Sequence, residues 1–104
     1  MAHCPYHQLH DLEAVLDRIR QWPEIREPSP GVFYVKRTPF LHFHLSDGMR
    51  WADARDGVQW GPPLEIPLAA ASSARKHFLE EAESRYRTTV ASMPARRPVR
   101  KGKR

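Results

Sequence analysis

Cysteine is nearly absent from this sequence. Cys4 is the one thiol, so no disulfide can form within the chain, and a lone thiol fits a reducing compartment. No apolar run approaches the roughly 20 residues of a membrane-spanning helix. Residues 1–30 hold no apolar core of signal-peptide type, so the chain is read as soluble and cytoplasmic, with no membrane partner. A glycine-rich phosphate loop, a Gly-x-Ser-x-Gly elbow and a His-Glu-x-x-His helix are all missing. Their absence removes the common nucleotide-binding, serine-hydrolase and metalloprotease signatures. Glycine numbers only five, whereas proline reaches ten and cuts the chain into short elements. The last eleven residues, PARRPVRKGKR, contain no acid.

That last absence shapes the charge of the molecule. Arg96, Arg97, Arg100, Lys101, Lys103 and Arg104 supply six of the 17 basic residues, leaving eleven to face twelve acids, a balance of −1. The formal charge of +5 therefore belongs to the tail. With Val99 as its one sizeable apolar side chain, the tail cannot bury enough surface to order itself. A cationic end of this kind binds nucleic acid or an acidic protein surface through counterion release. A length of 104 residues fits one domain. The expected division is a flexible leader over 1–8, a domain over 9–93 and a disordered basic tail over 94–104.

The domain begins with helical period: Leu9, Leu12, Val15, Leu16, Ile19 and Trp22 share one face, Asp11, Asp17, Arg18 and Arg20 lie elsewhere, and Pro23 ends the helix. EIREPSPG over 24–31 reads as extended connection. Strand signals follow in VFYVK (32–36), FLHFHL (40–45) and MRWADAR (49–55), with turns at SDG and at Asp56–Gly57. VQW starts a short fourth strand, and the prolines of GPPLEIPL restrict it to loop or edge. A second helix is expected from a Ser72 or Ser73 cap to a stop before Pro94, with Phe78, Leu79, Ala82, Tyr86 and Val90 inward and charged residues including Arg85 outward. The expected fold is α+β: a two-layer sandwich of a three- to four-stranded antiparallel sheet with an N-terminal and a C-terminal helix.

Candidate chemistry gathers on the strands. Alternation turns Leu41, Phe43 and Leu45 toward the helices and Phe40, His42 and His44 toward solvent. Paired histidines two apart on a strand project in parallel, as zinc ligands do, with Asp53 or Asp47 as a third donor. Hairpin register decides the matter. A three-residue SDG loop pairs Leu45 with Met49, sets Phe43 against Trp51 and gives the richer core. A two-residue Asp47–Gly48 turn pairs Ser46 with Met49 and sets His42 against Asp53, giving a polar site of His42, His44, Asp53 and Arg55. The first register is expected, so half-exposed histidines without a tight metal site are expected too, and no cofactor. His3, Cys4, His7 and His10 form a second donor group, one ligand short of a structural zinc site and placed in a leader.

The block PGVFYVKRTPFLHFHLSDGMRWADAR resembles the central block of a family of small uncharacterised bacterial proteins. The likeness spans about residues 22–68 and rests on Pro30, Gly31, Phe40, Leu41, His42, Phe43, His44, Gly48, Ala52, Asp53 and Arg55. It implies a shared domain and no activity.

Taken together, these features point to a small non-enzymatic binding module. Tyr34, Lys36, His42, His44, Asp53 and Arg55 form its ligand-binding surface, where rings and cations interleave as in single-strand nucleic-acid binders, and the tail assists. The alternatives are a metal-dependent or His/Asp acid–base enzyme centred on His42, His44 and Asp53, and a protein-partner adaptor.

Overall fold

The α+β architecture expected from the sequence is present in the computed structural model, which describes residues 3–94. A 3-10 helix, Tyr6–Leu12, runs directly into α1 (Glu13–Arg20). Six strands follow: β1 (Ile25–Ser29), β2 (Val32–Val35), β3 (Thr38–Ser46), β4 (Met49–Asp56), β5 (Gln59–Trp60) and β6 (Leu64–Glu65), then α2 (Ser72–Ser92). They make one antiparallel sheet ordered β1-β2-β3-β4-β5, with β6 on the same edge of β4 as β5. Leu9, Leu12, Leu16 and Ile19 from the first helical segment and Phe78 and Ala82 from α2 join Phe33, Val35, Leu41, Phe43, Ala52 and Ala54 of the sheet in one core. The helices thus cover one sheet face and leave the other open. Among the described residues no helix is long and apolar enough to cross a membrane.

Several local expectations change. The 24–31 segment is partly strand: β1 pairs with β2 as an edge, where Pro28 interrupts no central ladder. Residues 3–8, expected as a leader, lie against the sheet, with His3 bridging His44 and Cys4 buried in the core. Phe40 turns inward rather than outward. Pairing shifts by one residue between Phe33↔Leu41 and Tyr34↔Pro39, and the extra residue in β3 is Phe40, fully buried and edge-on to Tyr86 at 6.2 Å. Helix α2 starts at Ser72 behind Ala71, without a side-chain cap.

The β3–β4 hairpin takes the register with the shorter turn. Ser46 pairs with Met49, His44 with Trp51, Phe43 with Ala52 and His42 with Asp53. Asp47 and Gly48 alone make the turn, at φ 54° and 77°, the two positive values a type I′ turn requires. Asp-Gly suits that turn, and its twist matches the strands it joins. The richer apolar core of the alternative register is forgone: Met49 is 59% exposed and Trp51 only half-buried.

What takes their place inside is a cation. Arg50 is 2% exposed, and its guanidinium is fully paired. It donates to both carboxylate oxygens of Asp11 at 2.7 and 2.8 Å and to the carbonyls of Gln8 (2.6 Å), Ile66 (2.9 Å) and Pro67 (2.6 Å). Asp11, expected on the solvent side, also accepts the Ala70 N–H at 3.0 Å. This clamp joins β4, the 3-10 helix and the segment before α2. Arg85, likewise expected outside, is buried and donates to the carbonyls of Ala54 and Pro62 at 3.2 and 2.8 Å, anchoring α2 to the sheet.

Two outcomes follow for stability. Phe43 is buried and packs on Phe78 with ring centroids 5.7 Å apart, so Phe43→Ala should cost about 3–5 kcal/mol in denaturant unfolding. Asp11→Ala should cost a similar amount, about 3–5 kcal/mol, because it strands a buried guanidinium. The hydrogen bonds from Arg50 hold the Asp11 carboxyl down at about 2 against an ordinary 3.8. A depressed carboxylate stabilises fully above its unfolded value and loses that contribution as pH falls. Acid titration of stability should therefore show a component lost between 3.8 and about 2, and Asp11→Asn should remove that component.

Candidate metal centre

Strand alternation and the Asp47–Gly48 turn together put three donor side chains on the open face. His42 and His44 are two apart on β3, and Asp53 faces His42 from β4. The donor atoms of these three residues all lie within 4.8 Å of one another. Asp53 Oδ2 is 2.9 Å from His44 Nε2 and 4.0 Å from His42 Nε2. Tetrahedral ligation at Zn–N and Zn–O lengths of about 2.1 Å separates ligand atoms by roughly 3.4 Å, a value between these two distances. Small side-chain rotations would equalise them.

Packing holds the imidazoles in place. Trp51 stacks on His44 with centroids 5.2 Å apart and planes 22° from parallel. Trp60 lies 5.3 Å from His42, and the His42 and His44 rings are 4.6 Å apart. Arg55, which opposes Trp60 across β4 and β5, sits 4.7 Å over the Trp60 ring. It donates to the carbonyls of Pro39 (2.8 Å) and Val58 (3.0 Å). Arg55 therefore buttresses the wall around His42 instead of presenting a free cation.

His44 is the unusual member. Its side chain is 13% exposed, against 35% for His42 and 34% for Asp53. Its two ring nitrogens are the buried side-chain polar atoms left without a hydrogen bond among the described residues. Close as Asp53 is, its oxygen is badly aligned for an N–H donor. A buried polar atom without a partner costs about 1–3 kcal/mol, so a donor set that leaves one in place calls for a physical account. Burial, and then the neighbouring His44, push His42 below the ordinary imidazole range, while Asp53 opposes them more weakly. The net shift favours a neutral His42 ring with a free lone pair.

The remaining expected site residues divide. Tyr34 stays near the site: with Val32, Pro39, His42 and Trp60 it lines a shallow cleft of about 200 Å³. Lys36 does not. Val35 pairs with Thr38, so Lys36 and Arg37 form the β2–β3 turn, and Lys36, at φ 56°, donates its N–H to the Glu24 carbonyl at 2.8 Å. Arg96, Arg97, Arg100, Lys101, Lys103 and Arg104 lie outside the described residues. The His3, Cys4, His7 and His10 group is dispersed, since Cys4 is buried while the histidines are exposed, and burial pushes the Cys4 thiol up. A cleft of about 670 Å³ along Met49, Trp51, Pro63, Pro67 and Leu68 adjoins the site through Trp51 but holds none of its three donors. Sequence reading placed Trp51 opposite His44 only in the shorter-turn register, the one observed. It missed the Trp60 wall, whose signal was the Asp56–Gly57 turn that folds Gln59–Trp60 back on β4.

No family model, curated protein or solved structure matches the chain, so the geometry of the site stands by itself.

Proposed function

We propose that this protein is a small metal-binding module that holds one divalent ion of the zinc class on its open sheet face, with His42, His44 and Asp53 as ligands. The observation that carries this reading is His44: a ring largely shielded from water, with both nitrogens unpaired and a carboxylate 2.9 Å away. A metal ion would satisfy one of the two ring nitrogens, taking its lone pair together with the carboxylate charge. Two imidazoles and one carboxylate suit zinc and also ferrous iron. The buried free thiol of Cys4 supports a reducing, cytoplasmic setting.

The expectation of no tight metal site depended on the longer hairpin loop, which this chain does not form. An acid–base role for a His44–Asp53 pair is less well supported, since the two lack hydrogen-bond alignment and a general base needs an oriented ring.

Zinc titrated calorimetrically into the full chain should bind one ion per chain at micromolar affinity or tighter, and His44→Ala should abolish the binding. At a free zinc concentration of about 100 times Kd the native state should gain about 2.7 kcal/mol, read as a rise in Tm. Protons compete for the same lone pairs. Because burial and the neighbouring His44 hold His42 below the ordinary imidazole range, proton competition at that ring should set in at lower pH than for a free imidazole, and affinity should fall as pH drops. Unchanged heats in His44→Ala would refute the reading.

Nucleic-acid binding is a second reading, favoured by a separate observation. A groove of about 510 Å³ is lined by Arg26, Lys36, Arg37, Glu24 and Pro94. The six cations of the tail follow Pro94 in the sequence, and their charge adds to that of the groove in attracting phosphates. Removing residues 95–104 should leave Tm nearly unchanged and flatten the salt dependence of single-stranded RNA binding. Reversing charge at Arg26 and Arg37 should weaken what remains. Equal binding by the truncated chain at low salt would refute it.

A further inference from the structure

Beside the three donors stands another imidazole that the sheet itself brings into place. His3 faces His44 in an isolated antiparallel bridge, and the Cys4 N–H donates to the Phe43 carbonyl at 3.0 Å. That bond joins the residue after His3 to the residue before His44, which makes His3 and His44 a non-hydrogen-bonded pair. In such pairs the Cα atoms are about 4.5 Å apart and the side chains are closest. Alternation assigns the faces: Cys4 is 2% exposed in the core, so His3 projects to the same open face as His42, His44 and Asp53. His3 is exposed and free to rotate.

We infer that His3 is the fourth protein ligand of the ion held by His42, His44 and Asp53, and that the bound ion latches the N-terminal segment onto β3. The inference rests on the metal-binding reading above. His3 lies outside the tight three-donor cluster, so ligation takes a rotation of its side chain, with the backbone already in place. Three imidazoles and a carboxylate complete a tetrahedral shell, and a closed shell is the mark of a structural zinc site. The burial of Cys4 next in the chain keeps the strap seated, so closing the shell orders one exposed side chain and little else. The latch ties the His3 side chain to the sheet face beyond the end of β2, and release of the ion frees that side chain while the buried Cys4 keeps its own bond to Phe43.

Cobalt(II) titrated into the full chain separates the two claims. The wild type should show the intense visible band of four-coordinate cobalt. His3→Ala should bind at least about tenfold more weakly, since even outer-shell partners are worth about 10–100-fold in metal affinity, and its band should weaken as water replaces imidazole. His3→Cys should restore tight binding and add a sulfur-to-metal charge-transfer band absent from the wild type, a signature that mere structural support by His3 cannot produce. His3 is exposed, so neither variant threatens the fold. Identical affinity and band in wild type and His3→Ala, with binding abolished in His44→Ala, would overturn the latch and leave a three-ligand site. Cobalt binding that survives His44→Ala unchanged would overturn the metal reading and the latch with it.

Discussion

Two consecutive residues with left-handed backbone, Asp47 and Gly48, decide which face every side chain of the β3–β4 hairpin occupies. Side chains alternate with a period of two, so a slip of one residue would exchange the faces of β4. In the observed register Arg50, Ala52 and Ala54 turn inward, and Trp51, Asp53 and Arg55 turn outward. The inward set brings Arg50 to Asp11 and ties β4 to the first helical segment. The outward set brings Asp53 to His42 and His44 and walls them with Trp51. Core clamp and candidate site are consequences of one turn.

Among the described residues the internal polar side chains are otherwise well matched. Arg50 fills its donors on Asp11 and three carbonyls. Arg20 binds Glu13, Asp17 and Glu27 at 2.7–3.0 Å, and these partners raise its already high pKa. Arg85 is spent on carbonyls and on Glu81. Against that background His44 stands apart: it is shielded, stacked on Trp51 and without a hydrogen bond. Buried polar groups in folded proteins are nearly always satisfied. An exception flanked by a second imidazole and a carboxylate is where an ion fits.

Much of the fold was legible in the chain. The apolar stripe of Leu9 to Ile19, the alternation of Leu41, Phe43 and their neighbours, and the proline limit on β6 correspond to observed elements, although Leu9 and Leu12 lie in a 3-10 helix and β1 was read as connection. The register was not legible from apolar counting, because counting favours Met49 and Trp51 inside. It has no means to foresee that a paired arginine can fill the same volume, since the partner, Asp11, is 39 residues away. Arg85 was misplaced for the same reason: its partners are backbone carbonyls brought near by the fold. Phe40 escaped because a bulge breaks the period of two. The donor trio was visible as residues. What depended on register was their convergence, and Asp-Gly, the strongest short hairpin signal, outweighed the richer core.

The central claim is that this register assembles an ion-binding site on the open face. The most direct test is diffraction from crystals of the full chain grown with one equivalent of zinc, measured on both sides of the zinc edge. The account predicts one anomalous peak per chain, about 2.0–2.2 Å from a ring nitrogen of His42, a ring nitrogen of His44 and a carboxylate oxygen of Asp53. A map with no peak among these three side chains, or with zinc bound only elsewhere, would contradict it.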